Sequence, residues 1–112
     1  MKVIAGAGEF TMPPAGERAS WVEHLRAADL SAGTYSLPAG STDEQSPHTE
    51  DEIYVVTAGR ARLESAGDTV EVRPGSVIYV PAGEVHHFTD IAEDLAVVVF
   101  FAPAEYSRAA EG

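Results

Sequence analysis

Turn signals recur through most of this chain, and they leave little room for anything but short strands. They are Pro38-Ala39-Gly40, Ala58-Gly59, Ala66-Gly67-Asp68, Arg73-Pro74-Gly75-Ser76 and Pro81-Ala82-Gly83. Proline locks φ and removes a donor, while glycine reaches positive φ without steric cost, so each cluster interrupts regular structure. The segments between them are rich in β-branched and aromatic residues, as at 53–57. In 60–64, Arg60, Arg62 and Glu64 alternate with Ala61 and Leu63, the pattern of a half-buried strand with a solvated charged face. Thr69 and Glu71 alternate in the same way with Val70 and Val72. Further strands are predicted at 34–37, 77–80, 86–89 and 95–101. Roughly seven short strands, with turns about every 8–12 residues, predict an all-β sandwich or barrel.

The N-terminal third is less clear. Residues 1–16 are rich in glycine and proline and read as a loose arm, in which Val3 and Ile4 could add an edge strand to a partner subunit. In 17–30, Trp21, Leu25 and Ala28 have helical spacing, but a strand fits better with the strands and turns that follow. We therefore divide the chain into an arm (1–16), one β-barrel domain (17–102) and a surface tail (103–112).

Length suits one domain: 112 residues, of which 45% are hydrophobic, support a single core. The formal net charge of −11 disfavours nucleic acid and anionic membranes as partners. Without cysteine there are no disulfides, thiolate metal sites or thiol nucleophiles. The longest apolar run, 95–104, is too short to span a bilayer, and the N-terminus has no long apolar signal core, so a cytoplasmic protein is expected.

The chemistry gathers in residues 40–59, polar in the first half and a hydrophobic strand in the second. On an extended chain His48, Glu50 and Glu52 share a face, and Tyr54 and Val56 continue it inward. A buried carboxylate beside an imidazole needs a partner, and a divalent metal is an economical one. His86 is the third candidate ligand. Glu50 has the right parity, but a bulge or edge position would expose it. Glu44 and Gln45 lie just before this stretch's ligands and could lean into the barrel mouth, but a solvated loop is the favoured reading. His87 falls on the opposite face from His86, and His24 is isolated; both read as structural.

Two stretches carry a family resemblance. The first is Gly40, five residues, Ser46, one residue, His48, three residues, Glu52, six residues, Gly59. The second is Gly75, five residues, Pro81, one residue, Gly83, two residues, His86, three residues, Asp90. In order and spacing they resemble the two motifs of the cupin family. The resemblance covers roughly residues 30–102 and implies a small jelly-roll β-barrel, commonly a homodimer. It also implies one divalent metal ion per chain (iron, manganese, nickel or zinc) on His48, Glu52 and His86. Ser46 stands where the family usually has its first histidine, and Asp90 where asparagine is common. The first departure removes one ligand and implies a labile metal.

Two histidines and a carboxylate match the facial triad of non-haem iron(II) oxygenases, and with a redox-inert ion the same set polarises carbonyls or activates water. The expected function is a metal-dependent enzyme acting on a small organic molecule, either an oxygenase or an isomerase, cyclase or lyase. The alternatives are a non-catalytic small-molecule or metal-binding module, and a structural dimeric barrel with a vestigial site. Ser46, Tyr54, Phe88 and Phe100 are the expected pocket residues.

Overall fold

The computed structural model describes residues 1–109. Eight strands form two antiparallel sheets. They are β1 (Ser20–Arg26), β2 (Ser31–Leu37), β3 (Asp51–Ala58), β4 (Ala61–Ser65), β5 (Asp68–Val72), β6 (Val77–Val80), β7 (His86–Thr89) and β8 (Leu95–Ala102). The larger sheet has the order β1-β2-β8-β3-β6, and the smaller β5-β4-β7. This is the all-β jelly roll that the turn spacing and the motif resemblance lead one to expect. No helix among the described residues is long and apolar enough to cross a membrane.

The core lies between the sheets and follows strand parity. Tyr54 and Val56 of β3, Val97, Val99 and Phe101 of β8, and Leu63 and Phe88 of the smaller sheet are buried together. Arg60, Arg62 and Glu64 face solvent as their alternation predicts. Residues 20–26 are a strand, not a helix. A bulge between Glu23 and Leu25 puts Trp21 and Leu25 on opposite faces, so their four-residue spacing is not a helical stripe. Trp21 lies over Gly33, where an added Cβ would come within 2.4 Å of the indole. At Gly59, with φ +84°, a Cβ would come within 2.2 Å of the Asp94 carbonyl oxygen, so this turn requires glycine twice over. Asp90 adopts φ 47°, a conformation asparagine and aspartate tolerate better than most residues.

Both termini are more engaged than a loose arm and a surface tail. Within the single chain, Val3 and Ile4 pair with no strand. The arm packs on the outer face of the larger sheet, where Gly8 N–H donates to Thr34 Oγ1 (2.9 Å) and Thr57 Oγ1 donates to Gly8 O (2.6 Å). The tail turns back after β8 and buries Ala104 and Glu105. Residues 110–112 of that tail lie outside the described residues. The rest of the outer face carries two cross-strand apolar rows, Tyr79–Ile53–Phe100 and Val77–Val55–Val98. Tyr79, Ile53, Phe100 and Val77 are exposed.

Candidate metal centre

Three backbone elements meet at one end of the core. Glu52 enters from the start of β3, His86 is the first residue of β7, and His48 comes from the loop before β3. The two motif stretches are tied together directly. Gly83 N–H donates to the His48 carbonyl (2.8 Å), and Ala82 N–H to Asp51 Oδ1 (2.8 Å). The loop carrying His48 is therefore anchored to the turn that leads to His86.

One ligand atom from each of His48, Glu52 and His86 lies within 4.8 Å of the others. His86 Nδ1 is 2.8 Å from the Glu84 carbonyl, which places the ring proton there and leaves the Nε2 lone pair facing the site. Nε2 is 2.7 Å from Glu52 Oε1 and 2.9 Å from the Tyr54 hydroxyl; beyond that contact with His86 neither Glu52 oxygen has a hydrogen-bond partner, and the residue is only 2% exposed. A buried carboxylate left in this state is costly. A cation between the carboxylate and the two imidazoles would satisfy it, so the residues present fit a divalent metal.

The two imidazoles differ. Burial opposes charge on His86, but the Glu52 contact and the Glu84 carbonyl outweigh it and raise its pKa above the ordinary histidine value. Burial lowers that of His48, against the opposing pull of Glu52. His48 packs on Phe101, with ring centroids 4.8 Å apart.

Beside the three residues lies a cavity of about 210 Å³, lined in part by Trp21, Tyr35, Gln45, Tyr54 and Phe101. Tyr54 lines it, as parity predicts. Ser46 does not: it is exposed, and its neighbour Gln45 faces inward instead. The loop here is not a strand, so alternation counted back from β3 does not reach it. Phe100 is also outside, because β8 turns its odd-numbered residues inward and Phe101 takes the lining position. Phe88 is buried but sits behind the lining, packed on the Tyr54 ring with centroids 5.0 Å apart. His24 is structural, its Nε2 2.6 Å from Thr34 Oγ1, and His87 lies off the site.

Asp43 and Glu105 escaped the sequence reading, while Gln45 and Glu50 have roles that the solvated-loop and exposed-edge readings did not favour. Asp43 is buried and accepts hydrogen bonds from Tyr35 Oη (2.7 Å), Phe88 N–H (2.9 Å) and Gln45 Nε2 (2.7 Å). With its amide nitrogen committed to Asp43, Gln45 must present Oε1 to the site. That oxygen is 3.1 Å from His48 Nε2 and accepts from the Tyr54 hydroxyl at 3.2 Å. Gln45 thus puts an oxygen donor beside the ligand set, next to His48. Glu44 alone fits the solvated-loop reading, exposed and paired with Arg18. Glu50 is buried, but it serves the tail. Its carboxylate accepts from Tyr106 N–H (2.8 Å) and Arg108 N–H (2.9 Å). Glu105, brought in by that tail, lines the cavity with Oε2 3.6 Å from His48 Nδ1. A run of acidic residues gives no periodic signal, so nothing in the sequence distinguishes these from solvated charges.

Residues 33–102 match the family model described as a cupin domain. The chain belongs to the cupin family. This cupin is 46% identical over 97 residues to an uncharacterized protein of Streptomyces coelicolor, covering 87% of this chain and 92% of the other. It is also 40% identical over 65 residues to an acireductone dioxygenase of Geobacillus thermodenitrificans, covering 51% of this chain but 36% of the enzyme. Among solved structures, KdgF from a Halomonas species superposes with a TM-score of 0.76 over 92% of this chain and 94% of the other. At 19% identity that likeness concerns the fold alone.

Proposed function

We propose that this cupin holds one divalent metal ion on His48, Glu52 and His86 and acts as a metal-dependent enzyme on a small organic molecule in the adjoining cavity. The observation that carries the reading is the buried Glu52 carboxylate, which faces two imidazoles and has no partner beyond His86 Nε2. A mixed nitrogen and oxygen donor set suits iron, manganese, nickel or zinc. When bound, the ion supplies Lewis acidity, and iron(II) adds redox chemistry.

The chain's own residues divide the remaining work. Glu84 holds the His86 tautomer through its carbonyl. Asp43 orients Gln45, and Gln45 orients the Tyr54 hydroxyl. Trp21 and Phe101 give the cavity apolar walls that exclude water from the reacting end. The local likeness to an acireductone dioxygenase supports the oxygenase branch over an isomerase, cyclase or lyase. The same reading takes the protein as a homodimer joined through the apolar rows of Ile53, Tyr79 and Phe100.

Elemental mass spectrometry on untagged protein, purified without chelator, tests the metal. We expect near-stoichiometric metal in the parent and its loss in His86→Ala. Absence from both, even after reloading with iron, manganese, nickel and zinc, would reduce the protein to a ligand-binding or structural barrel. Oxygen uptake with added iron(II) separates the oxygenase from the redox-inert enzymes.

A further inference from the structure

The cavity beside the metal centre has a chemical bias of its own. Its volume, about 210 Å³, equals roughly seven waters at about 30 Å³ each, which suits a small ligand. The walls are aromatic: Trp21, Tyr35, Tyr54, Phe101 and Tyr106 all contribute. The carboxylates on the lining belong to Glu52 and Glu105, and no lysine or arginine lines it among the described residues. Trp21 and Phe101 meet edge to face, with centroids 6.2 Å apart and planes at 75°. Trp21 stays 39% exposed, so an entering molecule can reach it.

Glu105 is the distinctive group. Its side chain is only 7% exposed, and its nearest ion-pair partner is His48 at 3.6 Å. Arg26 is close in sequence space to neither, yet reaches this segment with its guanidinium committed elsewhere. It donates to the Glu105 backbone carbonyl (2.9 Å) and pairs with Glu23 (2.7 Å). The Glu105 carboxylate thus shares an aromatic lining on which His48 is its one ion-pair partner among the described residues and no lysine or arginine stands. Ser31 Oγ fixes its position by accepting from Glu105 N–H at 2.8 Å.

We propose that this cavity selects a small organic cation, an alkylated ammonium group with a short oxygen-bearing arm. The cationic end sits against Trp21, Phe101 and Tyr106, with Glu105 as counter-charge, and the arm points towards the His48–Glu52–His86 end. Aromatic faces attract a desolvated alkylammonium, and the carboxylate adds a full opposite charge. At the Glu105 end an anionic ligand would meet that carboxylate with no lysine or arginine on the lining to offset it. The inference rests on the cavity being the ligand site of the proposed enzyme.

Three probes of like shape test it: choline, its uncharged isostere 3,3-dimethylbutan-1-ol, and the anion 3,3-dimethylbutanoate. Each is titrated calorimetrically into zinc-loaded and metal-stripped protein, with metal content measured on the same samples. In the metal-stripped protein choline should bind at least about tenfold more tightly than the neutral isostere, and the anion should not bind. Glu105→Gln should bring choline and the neutral isostere near parity at unchanged melting temperature. Trp21→Leu should weaken choline more than the isostere. In the metal-stripped protein, equal binding of choline and its isostere, preferred binding of the anion, or no binding of any probe would overturn the proposal. So would a charge preference that survives Glu105→Gln. Because the titrations are also run without metal, loss of the metal reading shows in the elemental analysis and leaves the charge preference readable.

Discussion

Replacing Glu50 with alanine tests how the tail closes the site. Glu50 is 1% exposed, and its carboxylate accepts hydrogen bonds from the backbone N–H groups of Tyr106 and Arg108 and from the Thr49 hydroxyl. Hydrogen bonds to a charged group contribute about 1.5–3 kcal/mol each. Tyr106 and Arg108 are exposed, so their freed N–H groups regain water, and the low end of that range applies. Two backbone bonds then give a loss of about 3 kcal/mol for Glu50→Ala, and about 2 kcal/mol for Glu50→Gln, which keeps one acceptor. At this chain length that lowers Tm by roughly 10 °C for the alanine variant.

Released, the tail should also uncover the cavity. Trp21 is the single tryptophan and lines that cavity with Glu105 and Tyr106, so its emission should shift to the red under native conditions. Burial raises the Glu50 pKa, but the hydrogen bonds from Thr49, Arg108 and Tyr106 outweigh it and leave it lowered. Its stabilisation is therefore present above the ordinary carboxylate pKa and lost as pH falls through the lower folded value. Parent and variant should converge in acid. Urea unfolding with Trp21 as reporter measures all three effects. A stability change below about 0.5 kcal/mol, with unshifted emission at neutral pH, would refute the role given to Glu50.

Gln45→Leu should weaken metal binding by about tenfold, whereas Ser46→His should leave it unchanged because that side chain faces solvent; competitive chelator titration reads both. The raised pKa of His86 makes its contribution to the metal-free protein present below the ordinary histidine pKa and lost as pH rises through the folded value. Metal competes with that proton, so the metal-induced gain in Tm should grow over the same rise. His48 contributes with the opposite sign, and subtracting the His86→Gln profile isolates the His86 part; a metal-induced gain independent of pH would contradict a histidine site. Ile53→Glu and Tyr79→Glu should convert a dimer to monomer in light scattering without loss of secondary structure, and a parent that is already monomeric would remove that interface.

Much of this protein is determined locally and is therefore readable from its residues. Turn clusters such as Pro81-Ala82-Gly83 act through φ and missing donors alone, so they divide the chain before any packing occurs. Alternation in 60–64 predicts which side faces water because a charged side chain on the core face would be too costly. The spacing that brings His48, Glu52 and His86 together is likewise carried by the two motifs. What depends on partners was hidden. Residues 95–101 are apolar on both faces, so no alternation sets the phase, and only the register with β2 and β3 turns Phe101 inward and Phe100 outward. The Trp21–Leu25 spacing looks helical until the bulge against Gly33 separates the two residues. Asp43, Gln45, Glu50 and Glu105 read as solvated polar residues, because the donors that make their burial affordable come from distant parts of the chain. Phe88 lies 45 residues from Asp43, and Arg108 lies 58 from Glu50. Local sterics therefore determined the strands and the ligand spacing, while long-range hydrogen bonds decided which polar groups became part of the site.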